Sequence, residues 1–143
     1  MQPFPHVYTA TANGIAGGAV LIKSPDLPDL LTATPTEFGG PGDQWSPETL
    51  LVGAVASCYL LTFRSIAQIA RLEWSELRCT VEGVLDRVER VTRFTELYLK
   101  VTLQVPSSED VPKAQQLLEK AKQACLITNS LNARVELRAE VYA

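Results

Sequence analysis

The spacing of apolar and polar residues changes along the chain, and each change marks an element. The stretches "ELRCTVEGVLDRVER" and "RFTELYLKVTLQV" alternate apolar and polar positions and are rich in β-branched residues. Period-2 alternation predicts two long strands, joined as a hairpin that turns near Arg90. Before them, Leu50 to Phe63 is almost continuously apolar. Ser46-Pro47-Glu48 precedes that run and supplies a capping serine, a proline suited to the first helical position and an acid for the first turn. A helix is therefore predicted from about Pro47 to about Leu72. Its first half is apolar on all sides, which predicts that this half is buried.

After the hairpin, "PSSEDVPKAQQLLEKAKQAC" predicts a second helix, capped by Ser107 or Ser108, with Leu117, Leu118, Ala121 and Cys125 on or near one stripe. "ARVELRAEV" predicts a closing strand. The first third reads as three short strands, "HVYTATA", "GGAVLIK" and "DLLTATP", parted by turn signals at Asn13-Gly14 and Ser24-Pro25-Asp26. "TEFGGPGDQW" is a loop by composition. The order β-β-β-α-β-β-α-β predicts a single α+β domain over residues 1–143, mainly antiparallel, with two helices against the sheet. A helix apolar all round needs more cover than one small sheet provides, which points to a partner chain.

Composition narrows the function. The 143 residues are 46% hydrophobic and 20% charged, as in a soluble globular protein, and the net charge is -3. That balance excludes an electrostatic nucleic-acid binder. Arg87, Arg90 and Arg93 do cluster, but Glu82, Asp86, Glu89 and Glu96 interleave with them, as on a solvated hairpin. The first residues lack a signal-peptide pattern, and the Leu50–Phe63 run is shorter than the roughly 20 residues that span a bilayer. No membrane association and a cytoplasmic location are expected. Three cysteines in a reducing compartment serve packing or chemistry rather than a disulfide scaffold.

The candidate chemistry is thiol chemistry. Cys58 lies mid-helix, with Leu51, Val55, Thr62 and Ser65 on its side. An apolar site raises a thiol's pKa, so Cys58 needs help to react, and packing is the alternative reading. Arg64 points roughly 120° away from that side. Cys125 ends the second helix, where the partial negative charge disfavours a thiolate and suits a resolving thiol better than an attacking one. Asn129 and Ser130 cap or turn the chain beyond it. Cys79 sits in a strand pattern and reads as packing. His6, the one histidine, is far in sequence from every cysteine, and no metal-ligand spacing occurs. Neither a G-x-S-x-G nor a phosphate-loop pattern is present.

Two stretches carry a resemblance. "TEFGGPGDQWSPETLLVGAVASCYLLTFRSIAQ" resembles the Gly-rich loop and central helix of the OsmC/Ohr family, the osmotically inducible and organic hydroperoxide resistance proteins. Ser46-Pro47-Glu48 and Ala56-Ser57-Cys58 stand at the family's helix start and Ala-Cys. "ACLITNSL" is similar to the family's stretch around its second cysteine, with Leu126 in place of a proline. The resemblance implies antiparallel sheets wrapped around a long central helix in an intertwined homodimer. It also implies a thiol peroxidase without a bound cofactor. Cys58 would attack an organic hydroperoxide, Cys125 would resolve the sulfenic acid to a disulfide, and an external dithiol would reduce it. Glu48 would match the glutamate that holds the family's activating arginine. Residues 1–63 contain no arginine, so Lys23, or Arg93 from either chain, becomes the candidate cation. The same gap supports an alternative: a dimer that binds a small hydrophobic ligand or senses oxidation.

Overall fold

The computed structural model describes all 143 residues and divides into two compact units, Met1–Leu50 and Leu51–Ala143. In the first unit, β1 (Thr11–Asn13), β2 (Val20–Lys23) and β3 (Leu30–Thr32) form an antiparallel sheet in that order. All three are shorter than the alternating pattern predicts, and His6 to Ala10 lies outside β1. A loop of Gly, Pro and Asp follows β3. It is held tight at Gly40, where a Cβ would lie 1.6 Å from the Thr34 carbonyl oxygen. The loop ends at Ser46, whose Oγ accepts the Thr49 N–H at 3.1 Å, while the Ser46 N–H donates to Thr49 Oγ1 at 2.8 Å. This reciprocal cap starts α1 (Pro47–Ile69) where the sequence places it.

In the second unit, α1 buries Val55, Tyr59, Phe63 and Ala67 completely. The spacing is i, i+4 throughout, so a single stripe of the helix enters the core. Within one chain the first half is not covered on every side, since Ala54 and Ser57 are exposed; further along, Leu61 stays 51% exposed and Ile69 84% exposed. α1 runs on past Arg64, which lies on an exposed side, to 23 residues, close to the predicted Pro47–Leu72. By length and composition α1 is the one helix able to cross a membrane, longer than the Leu50–Phe63 run implies, while its buried stripe is that of a core helix.

The core sheet is β4 (Glu76–Val88), β5 (Val91–Gln104) and β6 (Arg134–Tyr142), in that order. Along β5, Leu97, Leu99, Val101 and Leu103 are buried while Lys100, Thr102 and Gln104 face out, the alternation seen in the sequence. The β4–β5 hairpin turns at Glu89 and Arg90, both at positive φ (51° and 70°), which is the backbone of a two-residue type I′ turn. A register shift between Val84 and Leu85 bends the hairpin.

β6 pairs with β5 in parallel, so the sheet is mixed rather than antiparallel. The reason is topological: the chain leaves β5, crosses through α2 (Val111–Ala124) and returns in the same direction. α2 packs Ala114, Leu117, Leu118 and Ala121 into the core. Ser107 accepts from Glu109 N–H and caps the 3-10 turn that leads into it. Tyr59 ties α1 to α2, donating its hydroxyl to the Leu118 carbonyl at 2.9 Å. Phe63 meets Trp74 edge to face at 5.5 Å. After Cys125 the chain makes one further short helix, α3 (Leu126–Asn129), which the sequence reading treats as a cap or turn.

Gly83 is the tightest point of this unit. A Cβ there would lie 2.8 Å from Val52 Cγ1 and 2.8 Å from Phe94 Cε1. Gly83→Ala should therefore overpack the helix–sheet contact and lower unfolding free energy by about 1–3 kcal/mol. Urea denaturation of the two proteins checks this; equal midpoints would show that the neighbours yield freely.

Candidate functional site

Cys58 lies one step round α1 from the buried stripe, so its sulfur stands at the edge of the core rather than in it. It opens onto a groove of about 460 Å³. One wall is α1, through Ala54, Ser57, Leu61, Thr62 and Ser65; the other is Leu126 and Ile127 of α3. The lining is chiefly apolar, with hydroxyls along the α1 side. Of the neighbours expected on the Cys58 side, Thr62 and Ser65 line this groove, and Val55 belongs to the core stripe.

Cys125 occupies the corner between α2 and α3, ending the first and preceding the second. Its φ of -65° and ψ of 107° are extended, and this break turns the backbone. Cys125 is fully buried. It stands close to Cys58, so the structure brings together the two cysteines that lie 67 residues apart, and both are free thiols.

Burial pushes the Cys58 thiol up. It is outweighed by hydrogen bonds from the Ile127 N–H, the Cys125 thiol, the Thr62 hydroxyl and the Leu126 N–H, and the Cys58 thiol ends below its ordinary value of 9.0. Every one of these donors is neutral. Within one chain no cation is among the groups that lower this thiol. Lys23 is paired with Asp29 at 3.2 Å on an exposed surface. Arg93 stands opposite Asp86 on the exposed outer half of the hairpin. Glu48 sits in the first turn of α1 and makes no ion pair; its Oε2 is buried without a hydrogen-bond partner.

The sequence reading missed the two backbone N–H groups of Leu126 and Ile127. Peptide donors have no residue signature. Their one advance sign is the break at Cys125 followed by Thr128, Asn129 and Ser130, polar residues able to close a single helical turn. Thr128 Oγ1 donates to the Cys125 carbonyl at 3.0 Å and Ser130 Oγ to the Leu126 carbonyl at 2.8 Å, fixing the turn from within.

Cys79 behaves differently. Burial, and then the charge of a Cys125 thiolate, push its thiol up to about 11. It packs against the core, in agreement with the packing reading. His6 is exposed, stacked on Phe4 at 4.6 Å and bonded to the Gln2 carbonyl. No group of three His, Cys, Asp or Glu side chains stands together as a metal site requires.

The profile of the family described as OsmC-like protein matches residues 40–140, which include α1, Cys58 and Cys125. The chain belongs to the OsmC-like family. An uncharacterised protein of Bacillus subtilis (strain 168), YmaD, is 29% identical over 109 residues, covering 74% of this chain and 73% of its own. Among solved structures, an OsmC-like protein of unknown function from Vibrio cholerae is similar with a TM-score of 0.83 at 19% identity, covering 96% of this chain and 99% of that one. An organic hydroperoxide resistance protein from Elizabethkingia anophelis gives 0.79 at 23% identity, covering 99% of each chain. These likenesses establish the α+β OsmC-like fold for this chain.

The two shifted thiols predict an order of reaction. In native protein, iodoacetamide should alkylate Cys58 first as pH rises, at a midpoint below 9.0, and Cys79 last, near 11. Peptide mass spectrometry against pH reads both. Cys79 also sets a stability trend. Its folded-state value lies above the ordinary 9.0, so its contribution is complete below pH 9.0 and is lost as pH rises through about 11.

Proposed function

We propose that this OsmC-like protein is a thiol-dependent peroxidase acting on organic hydroperoxides. The observation that carries the proposal is the Cys58 sulfur. Its thiol is held below the ordinary value, it lies on an apolar groove, and a second thiol stands close by. The Cys58 thiolate attacks the distal peroxide oxygen. The O–O bond breaks, the alkoxide leaves and takes up a proton as the alcohol, and the sulfur becomes sulfenic acid. The Cys125 thiol then displaces hydroxide from that sulfur, giving water and a Cys58–Cys125 disulfide. An external dithiol returns both sulfurs to thiols. No bound cofactor enters the cycle. The apolar lining favours an organic group over hydrogen peroxide in the groove. In this reading the whole chain works as one domain in the cytoplasm, where thiols stay reduced.

The same reading makes the working unit a homodimer. The first half of α1 is apolar all round, yet a single stripe of the helix is buried within the chain, and Leu61 and Ile69 are left in water. A second copy of the chain is the occupant that would cover them.

The decisive experiment is intact and peptide mass spectrometry of the reduced protein after one equivalent of cumene hydroperoxide. The expected result is the loss of two hydrogens, with the Cys58 and Cys125 peptides joined. Unchanged thiols after prolonged exposure would overturn the proposal and favour a binding role for the groove. Cys58→Ser should abolish peroxide turnover in a folded dimer. Cys125→Ser should keep one round of oxidation and then gain oxygen at Cys58, seen as sulfinic and sulfonic mass increments.

A further inference from the structure

Three hydroxyl residues of α1 line the groove, Ser57, Thr62 and Ser65, and the last two are used differently. Ser65 Oγ donates to the Leu61 carbonyl four residues back, at 3.2 Å. That back-bond is the usual resting place of a Ser or Thr hydroxyl inside a helix. Thr62 does not make it. Its Oγ1 has the Cys58 sulfur as partner, 3.9 Å away across one helical turn, and no backbone carbonyl. A threonine in a helix divides between two rotamers because its oxygen can reach the carbonyls of the turn before. Here the rotamer is committed to sulfur.

The direction of this bond depends on the protonation of Cys58. With the thiol intact, either atom can donate. Once the sulfur loses its proton, Thr62 alone has a hydrogen to give. The contact is thus stronger to the thiolate than to the thiol, which is what a shift of the acid equilibrium requires. The methyl group of Thr62 meanwhile keeps the groove wall apolar.

We propose that Thr62 is a positioning residue for the Cys58 thiolate: its hydroxyl, with the sulfur as its sole partner, aims that sulfur at the groove and donates to its negative charge. The inference rests on the reading of Cys58 as the reacting thiol. It assigns a neutral donor to the task that a basic side chain performs in an ion-paired thiolate. The Leu126 and Ile127 N–H groups on the opposite wall assist it from a second direction.

The test compares wild type, Thr62→Val and Thr62→Ser in the full chain. Valine keeps the branch and the volume and removes the hydroxyl; serine restores the hydroxyl. The first readout is the pH midpoint of Cys58 alkylation by iodoacetamide, followed at the Cys58 peptide. Thr62→Val should raise it by about half a pH unit, with about threefold less thiolate below the midpoint. Thr62→Ser should return it to the wild-type value. The rate with cumene hydroperoxide at pH 7 should fall in Thr62→Val by the same factor and recover at higher pH. Should the valine variant fail to fold, Thr62→Ala is read in the same way. An unmoved midpoint in Thr62→Val, or serine shifting it as far as valine, would overturn the proposal. So would a changed melting temperature with no change in midpoint, which marks a purely structural threonine. The two levels separate cleanly. Wild-type Cys58 inert to peroxide would defeat the peroxidase reading, while the alkylation midpoints would still decide the role of Thr62. Peroxide turnover with an unmoved Thr62→Val midpoint would defeat the Thr62 proposal alone.

Discussion

The buried stripe of α1 is the constraint on which the site depends. Val55, Tyr59, Phe63 and Ala67 fix the rotation of the helix about its own axis, because turning it by one position would expose four buried side chains to water. The Tyr59–Leu118 hydrogen bond adds a direction, since its buried hydroxyl has a carbonyl acceptor at one place on α2. With that rotation set, the next residue round the helix from Val55 and Tyr59 has its side chain at the core's margin. Cys58 is that residue. A sulfur so placed is shielded enough to feel nearby dipoles strongly and open enough to meet a ligand.

The second wall of the site follows from the crossover between β5 and β6. A parallel return needs a helix to carry the chain back, and α2 does so while filling the core with Leu117 and Leu118. The chain must then turn at the end of α2 to enter β6. That corner is Cys125, and α3 is the single turn of helix that completes it. The Cys125 thiol and the peptide donors beside Cys58 thus come from a piece of chain whose first duty is topological.

Much of the architecture is legible in the sequence, for reasons that can be named. The β5 alternation is a direct record of which side meets the core. The hairpin turn at Glu89 and Arg90 is located by where the alternation of two strands runs out, although neither residue favours positive φ. The Ser46 cap is local chemistry and lies where the sequence puts it. The parallel pairing of β6 was less accessible, because alternation identifies strands and says nothing about neighbours. The full cover expected for α1 depends on a surface that one chain does not possess. At the site, Cys58 and Cys125 are visible through family resemblance, and the absence of an arginine before the helix is visible by inspection. The donors that one chain adds beside Cys58, peptide N–H groups and a hydroxyl, were not legible, because they leave no charge in the sequence to count.

The position of Cys125 has a mechanical consequence. The two N–H groups that help hold the Cys58 thiolate belong to the residues immediately after it. In a cycle that closes a disulfide, drawing the Cys125 sulfur onto Cys58 pulls on the same corner that carries those donors. The proposed disulfide would thus tie to Cys58 the same corner of chain that carries its peptide donors. In the proposed cycle, activation and resolution would draw on one short piece of chain.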